Sequence, residues 1–402
     1  TGEELLVNYD DPFSAFVFKT TLDPFAGKLS YARIISGKAT EGMGFYDTTN
    51  ETEDKISKMF TLIGKQQVPL TSASAGDIIV IPKLDNVRTG DTLASKDFPV
   101  KYPAIAFPSS LYTVCVSAEN KGDEEKLGAA LNKIAEEDPT CVVRKDVESG
   151  QLQLSTMGEV HLDHILSKME RKYGAKALLS KVYIPYRETI RGKSTAEGKH
   201  KKQSGGHGQY GHVVIDLEPA TNGEAFEFVD AIVGGAIPRQ FIPAVEKGAV
   251  ETLAKGVIAG YPLINIKMTL KDGSFHSVDS SEMAFKVAAS LALKKGIPEA
   301  KPVLLEPIYA VDVMVPEAYM GDVIGDISSK RGRVLGMEPG EDGITTVKAR
   351  VPYSEMLEYG VQLRAMTQGR GSFDMTFDTY EEVPAKLAET IIADYKAANA
   401  DA

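Results

Sequence analysis

One order of hydrophobic patterns occurs twice in this chain, and it restricts the fold more than any other feature of the sequence. Between residues 110 and 180 an apolar run, LYTVCVSAE, leads to an amphipathic stretch over 123–137. The short runs CVVRKD and QLQLST follow, then a second amphipathic stretch over 158–173 and a last run, KALLSKV. Between 305 and 378 the same order returns as IYAVDVMV, a helical stretch over 317–329, GRVLGME, ITTVKARV, a helical stretch over 353–366, and SFDMTFDTY. Alternating apolar residues mark strands and a 3.6-residue period marks helices. Both segments therefore read strand–helix–strand–strand–helix–strand, the order of a split βαβ unit, a ferredoxin-like sandwich. A further amphipathic helix is expected over 384–398, where Pro384 suits the first turn because its missing N–H would lack a partner there anyway.

The remaining segments have a different character. Residues 13–98 break into short strand-like runs (AFVFKTTLD, KLSYARIISGKA, GMGFYDT, DIIVIP) separated by turn residues, with one possible helical turn near 55–60. Many short strands at close spacing suggest a small β-barrel. Between the two repeated units, strands GHVVIDLEP, AFEFVDAIV and LINIKMTL alternate with helices within 242–256 and over 280–295. The second of these helices opens on DSSE, where Asp279 is expected to cap the first amides with Glu282 at the third helical position. The fold class is multidomain α+β: a β-barrel over 1–100, a ferredoxin-like sandwich over 101–183, a βαβ-type domain over 184–302, and a second ferredoxin-like sandwich with a C-terminal helix over 303–402.

The chain of 402 residues carries a net charge of −11, which taken alone argues against a nucleic-acid ligand. The distribution argues otherwise. Residues 184–302 hold 15 Lys and Arg against 13 Asp and Glu, while the rest of the chain holds 30 against 43; four of the six histidines (His200, His207, His212, His276) also fall in that segment. An acidic body with one locally basic module fits a protein that touches nucleic acid with one part. No apolar run approaches the roughly 20 residues of a membrane helix, so no membrane partner is expected. The N-terminus lacks the pattern of a secretory signal, and it begins on Thr1 rather than Met, as in a processed chain or a piece of a longer one. Cys115 and Cys141 sit in apolar runs and read as buried, reduced thiols of a cytoplasmic protein.

The stretch SGGHGQYGHV places glycines at 206, 208 and 211 with a valine at 213, the G-x-G-x-x-G-x-V spacing of nucleotide loops. Its surroundings disagree with that chemistry. A dinucleotide loop needs a strand before and a helix after, whereas the run before it is polar and basic and the run after it reads as a strand. The other kinase signatures are absent downstream. GKST at 192–195 would be the end of a phosphate loop, but Arg187 stands where its first glycine belongs. Asn132-Lys133 lacks the aspartate of a guanine site. His161 and His164 lie one helical turn apart, yet with no third ligand nearby they read as a solvent-facing helix surface. What remains is a tip poor in side chains beside Lys199, Lys201 and Lys202. Glycines allow close backbone approach to a phosphate or base edge. Lysines attract a phosphate backbone, and His207, Gln209, Tyr210 and His212 can bond to or stack on unpaired bases. A mobile hairpin with solvated lysines stays open beside that reading.

The stretches KKQSGGHGQYGHV, FEFVDAIVGGAIPRQFIPAVEKG, DGSFHSVDSSEMAFKVA, EAYMGDVIGDISSKRGRVLGME and MTQGRGSFDMTFDTYEEVP resemble elongation factor G, with LDPFAGKLSYARIISGKA resembling its second domain and EEDPTCVVRKDVESGQLQLSTMGEVHLDHI its third. The resemblance spans essentially the whole chain. It implies domains II to V of a ribosomal translocase, with the GTPase domain, and hence GTP and Mg²⁺, outside this chain; no cofactor is expected within it. It implies an elongated domain IV that reaches the decoding region. The expected contacts with ribosomal RNA and the tRNA–mRNA helix are Lys201, Lys202, Gly205, Gly206, His207, Gly208, Gln209, Tyr210, Gly211 and His276. It further implies a monomer that works on ribosomes in the cytoplasm. His207 stands where the family usually has arginine, and VKYPAIAFPSS lacks the usual entry to the third domain. Both departures point toward a paralogue acting in ribosome recycling or stress as the alternative to the housekeeping translocase. A ribosome-protection protein and, in a different class, a nucleotide-binding enzyme using 206–211 are the remaining readings.

Overall fold

The computed structural model describes residues 9–398 apart from 24, 65, 109, 203–207, 222 and 341–342. The chain divides into two compact units, Thr1–Tyr183 with Leu357–Ala365, and Ile184–Met356 with Met366–Ala402.

In the first unit, eight strands pair antiparallel in the order Thr52–Lys55, Gly44–Asp47, Thr92–Ala94, Ser14–Asp23, Gly27–Ser36, Ile78–Pro82, Met59–Ile63, Gln66–Leu70. Alternation sends Ala15, Val17, Ala32, Ile34, Ile79 and Ile81 into one core, as the period-two geometry of a strand requires. The helical turn expected near 55–60 does not form. Those residues pass from the strand Thr52–Lys55 into the strand Met59–Ile63. Ile56 and Met59, three residues apart, are both buried in the sheet's core; a short apolar pair fits either period, and pairing partners decide between them.

The second module of this unit has the strand order Val142–Lys145, Leu152–Thr156, Tyr112–Ala118, Ala177–Ser180, all antiparallel. Helices Glu124–Glu137 and Glu159–Tyr173 bury Leu131, Ile134, Ile165 and Met169 against it, so the βαββαβ reading holds. The first helix ends at the neighbouring sheet. Glu137, whose side chain is 6% exposed, accepts the Leu22 N–H at 2.6 Å and meets Lys168 and Lys172 Nζ at 2.5 Å each. Burial pushes this carboxyl up, but the lysines and the amide outweigh it and hold it below its ordinary value. His161 is not the solvent-facing residue expected. Its Nδ1 accepts the Met157 N–H at 3.2 Å and its Nε2 lies 2.9 Å from Asp138 Oδ2, so the ring ties the start of one helix to the end of the other. Cys115 and Cys141 are buried free thiols, and burial pushes the Cys141 thiol up to about 12.

In the second unit a four-stranded sheet runs Ser194–Lys202, Gln209–Pro219, Ile266–Ser274, Phe226–Asp230, the last pair parallel. Helices Ile242–Lys255 and Glu282–Glu299 cover one face, burying Val245, Leu253, Phe285, Leu293 and Ile297 with Val213, Ile215 and Met268. The strand Ser194–Lys202 was not legible in its polar sequence. Ala196 and Gly198 alone turn to the core, so its alternation lacks large apolar residues. A strand does therefore precede the glycine loop, and only the strand that follows it separates this hairpin from a dinucleotide site.

A five-stranded sheet completes the unit. Its long central strand, Pro302–Pro316, pairs with Arg187–Ile190 over its first residues and with Ile344–Pro352 and Ser372–Glu382 over the rest, while Arg333–Pro339 pairs with Ile344–Pro352. This strand begins at the point read from sequence as a domain boundary. The helix expected over 317–329 opens with a 3₁₀ turn, Glu317–Tyr319, before Met320–Ser329, and the one expected over 353–366 is two, Tyr353–Met356 and Tyr359–Met366. The helix Ala385–Ala398 places Leu387, Ile391 and Ile392 against Tyr186, Ala259 and Leu304.

Candidate nucleic-acid interface

The hairpin of Ser194–Lys202 and Gln209–Pro219 is in register from Ser194↔Leu217 to Lys202↔Gln209. Gly205, Gly206 and His207 lie outside the described residues; Lys201, Lys202, Gly208, Gln209, Tyr210, Gly211 and His276 lie within them. The face of the sheet away from the helices carries a row of charges that changes character along its length. At its base Lys193 and Lys267 share Glu218 at 2.5 and 3.1 Å, and Lys271 meets Asp216 at 2.9 Å. The two lysines lower the Glu218 carboxyl below its ordinary value. Toward the hairpin end, Lys199 and Lys201 on this face, and Lys202 on the other, are exposed and, among the described residues, none has a carboxylate partner. Lys199 Nζ instead lies over the Tyr210 ring, 5.8 Å from its centroid. Positive charge is thus neutralised at the base and left available at the tip.

A second network organises the tip's aromatic and imidazole groups. Tyr210 Oη is 2.8 Å from Ser274 Oγ, which is 2.9 Å from His212 Nδ1. His212 Nε2 lies 2.9 Å from Glu197 Oε1 but out of line for a hydrogen bond. One proton order serves the chain: the tyrosine hydroxyl donates to the serine, the serine donates to Nδ1, and the Nε2 proton faces the glutamate. A Ser–His–Glu set of this kind resembles a nucleophile arrangement, but here the serine oxygen also accepts from the Tyr210 hydroxyl. His200 Nε2 lies 2.9 Å from the Gln209 side-chain oxygen, leaving the Gln209 amide NH₂ outward. His276 Nδ1 accepts N–H groups of Val278 and Asp279 at 3.3 and 3.2 Å. Its other nitrogen therefore carries the proton, and the side chain is 53% exposed.

The glycines divide by cause. At Gly211 a Cβ would sit 2.5 Å from the Ala284 carbonyl oxygen, so this glycine admits the helix Glu282–Glu299 against the hairpin and its place is under the helix rather than at the tip. At Gly208 a Cβ would sit 2.9 Å from Asp279 Oδ2. Asp279 itself is not the helix cap expected. Ser281 is, accepting the Ala284 N–H at 3.2 Å, and Glu282 is the first helical residue. Asp279 instead receives the Gly208 N–H at 3.0 Å. Sequence reasoning gave Asp279 the wrong role and passed over Ser280, Ser274 and Glu197; the clue available was the second serine of DSSE, Ser281, an equally good cap two residues nearer the apolar run.

Among the described residues no group of His, Cys, Asp or Glu could hold a metal ion, and no helix is long and apolar enough to cross a membrane. Four family models match in sequence order: elongation factor G domain 2 at residues 12–96, domain III at 107–181, domain IV at 183–301 and the C-terminus at 303–391. The chain belongs to the elongation factor G family. It is also similar to a protein of Thermus thermophilus solved by crystallography, at 38% identity and a TM-score of 0.77; the match covers 96% of this chain and 58% of that one. The exposed lysines and His276 thus fall in the segment matched by elongation factor G domain IV, and the basic surplus read from sequence lies within the same limits.

Proposed function

We propose that this chain is the ribosome-binding part of an elongation factor G-like translocase, one that promotes GTP-dependent movement of tRNA and mRNA with the nucleotide bound elsewhere in the parent protein. The observation that carries the proposal is the tip of the domain IV segment. Three lysines without carboxylate partners stand beside an outward Gln209 amide and an outward His276 Nε2–H, while Lys193, Lys267 and Lys271 at the base of the same sheet are paired with Glu218 and Asp216. Lysines supply sequence-independent attraction to a phosphate backbone, and the amide and imidazole supply donors suited to base edges and 2′-hydroxyls. The contribution is mechanical: a tip that binds one ribosomal state better than another biases the equilibrium between them by that difference in affinity.

The test is single-turnover translocation with the full-length parent. Gln209→Ala and His276→Ala are expected to slow movement while leaving ribosome-stimulated GTP hydrolysis intact. Unchanged translocation in both variants would remove the tip from the mechanism. Intact subunit splitting without translocation would favour the recycling paralogue.

A further inference from the structure

We infer that Asp279 is a positioning residue that braces the RNA-facing tip, an inference that rests on the reading of the tip just given. Its carboxylate Oδ1 accepts the Gly208 N–H at 3.0 Å and its carbonyl accepts the Tyr210 N–H at 2.8 Å. Its own N–H donates to His276 Nδ1 at 3.2 Å. Ser280 closes the figure: its hydroxyl donates to the Tyr210 carbonyl at 2.8 Å and accepts the His276 N–H at 2.9 Å. One two-residue segment therefore fixes both groups offered to RNA, the exit of the glycine loop and the His276 ring, and fixes the latter with its protonated nitrogen outward. A Cβ at position 208 would sit 2.9 Å from Asp279 Oδ2 and would push the carboxylate aside.

Electrostatics and positioning predict opposite signs here. Removing a negative charge beside a phosphate-binding tip strengthens binding if charge alone matters. Removing a brace weakens it, because Gly208–Tyr210 and His276 must then be ordered on binding at an entropic cost. Asparagine keeps the acceptor oxygen and loses the charge, and alanine loses both.

The experiment uses the full 402-residue chain and isolated small ribosomal subunits, with hydrogen exchange of the tip peptides read beside affinity. Asp279→Ala is expected to speed exchange at 208–210, to leave the strand Ile266–Ser274 protected, and to weaken subunit binding about fivefold, the weight of one hydrogen bond. Its salt dependence should stay parallel to wild type, since no phosphate contact is lost. Asp279→Asn should bind at least as tightly as wild type and keep the protection. Unchanged exchange in Asp279→Ala would overturn the brace. So would Asp279→Ala binding as tightly as wild type while Lys201→Ala with Lys202→Ala binds less well. Faster exchange with binding indifferent to the aspartate and to both lysines would overturn the RNA reading, and the positioning role with it.

Discussion

Lys201 and Lys202 are exposed and unpaired at the hairpin end, so the double replacement by alanine should lower the slope of log affinity against log salt by about 1.4 to 1.8, the counterions of two phosphate contacts. Equal slopes for variant and wild type would mean that both lysines are merely solvated. Gly211→Ala tests a different residue-scale claim. Its Cβ would press on the Ala284 carbonyl at 2.5 Å, and overpacking of this kind costs about 1–3 kcal/mol, measurable as a lower urea midpoint at unchanged slope. The lysines and the exposed histidine were legible in the sequence because solvated charge and a loop position leave local marks. The packing role of Gly211 and the brace made by Asp279 were not, because each depends on a partner about 70 residues away.

Elements were legible to the extent that their own residues carry the period. Both βαββαβ orders came through, since each helix and strand has its own apolar stripe. The strand Ser194–Lys202 did not, because glycine and alanine fill its inner positions while lysine, threonine and glutamate fill its outer ones. Its pairing comes wholly from Gln209–Pro219. The end of the helix Glu124–Glu137 offers a test at this scale. Glu137 is held below its ordinary value by Lys168, Lys172 and the Leu22 amide against the opposing effect of burial. A carboxyl depressed on folding adds stability above its unfolded pKa, near 4.3, and that stability is lost as pH falls through the folded value. Glu137→Gln should therefore destabilise the first unit by about 2 kcal/mol at neutral pH, the scale of a hydrogen bond to a charged group. The gap from wild type should close as the medium is acidified below that unfolded value. A gap that stays constant through the acid range would assign the effect to packing.

At the scale of the whole molecule, the glycine spacing at 206–211 is that of a nucleotide loop, but its surroundings in sequence and in structure argue against a nucleotide site. The strand Gln209–Pro219 leads straight out of the loop, so no helix N-terminus faces a phosphate there. Calorimetric titration of the chain with GTP, ATP and NAD, each with Mg²⁺, should show no saturable binding; micromolar binding abolished by Gly208→Val would reverse that conclusion. A larger consequence follows from Arg187–Ile190. One edge of this strand bonds to Pro302–Leu305, and the other side holds the 257–264 segment, where the buried Glu188 carboxylate takes four amides, from Val257, Ile258, Ala259 and Tyr261. Tyr380 and the helix Ala385–Ala398 close over the same seam. Two family domains with separate cores are thus spliced by continuous backbone rather than hinged on a linker. A force applied at the hairpin end would load these hydrogen bonds side by side, in shear, and the unit would carry it as a beam does. Pulled from Lys199 against the C-terminal helix in an optical trap, it should yield in one event, and Glu188→Ala should split that event into two.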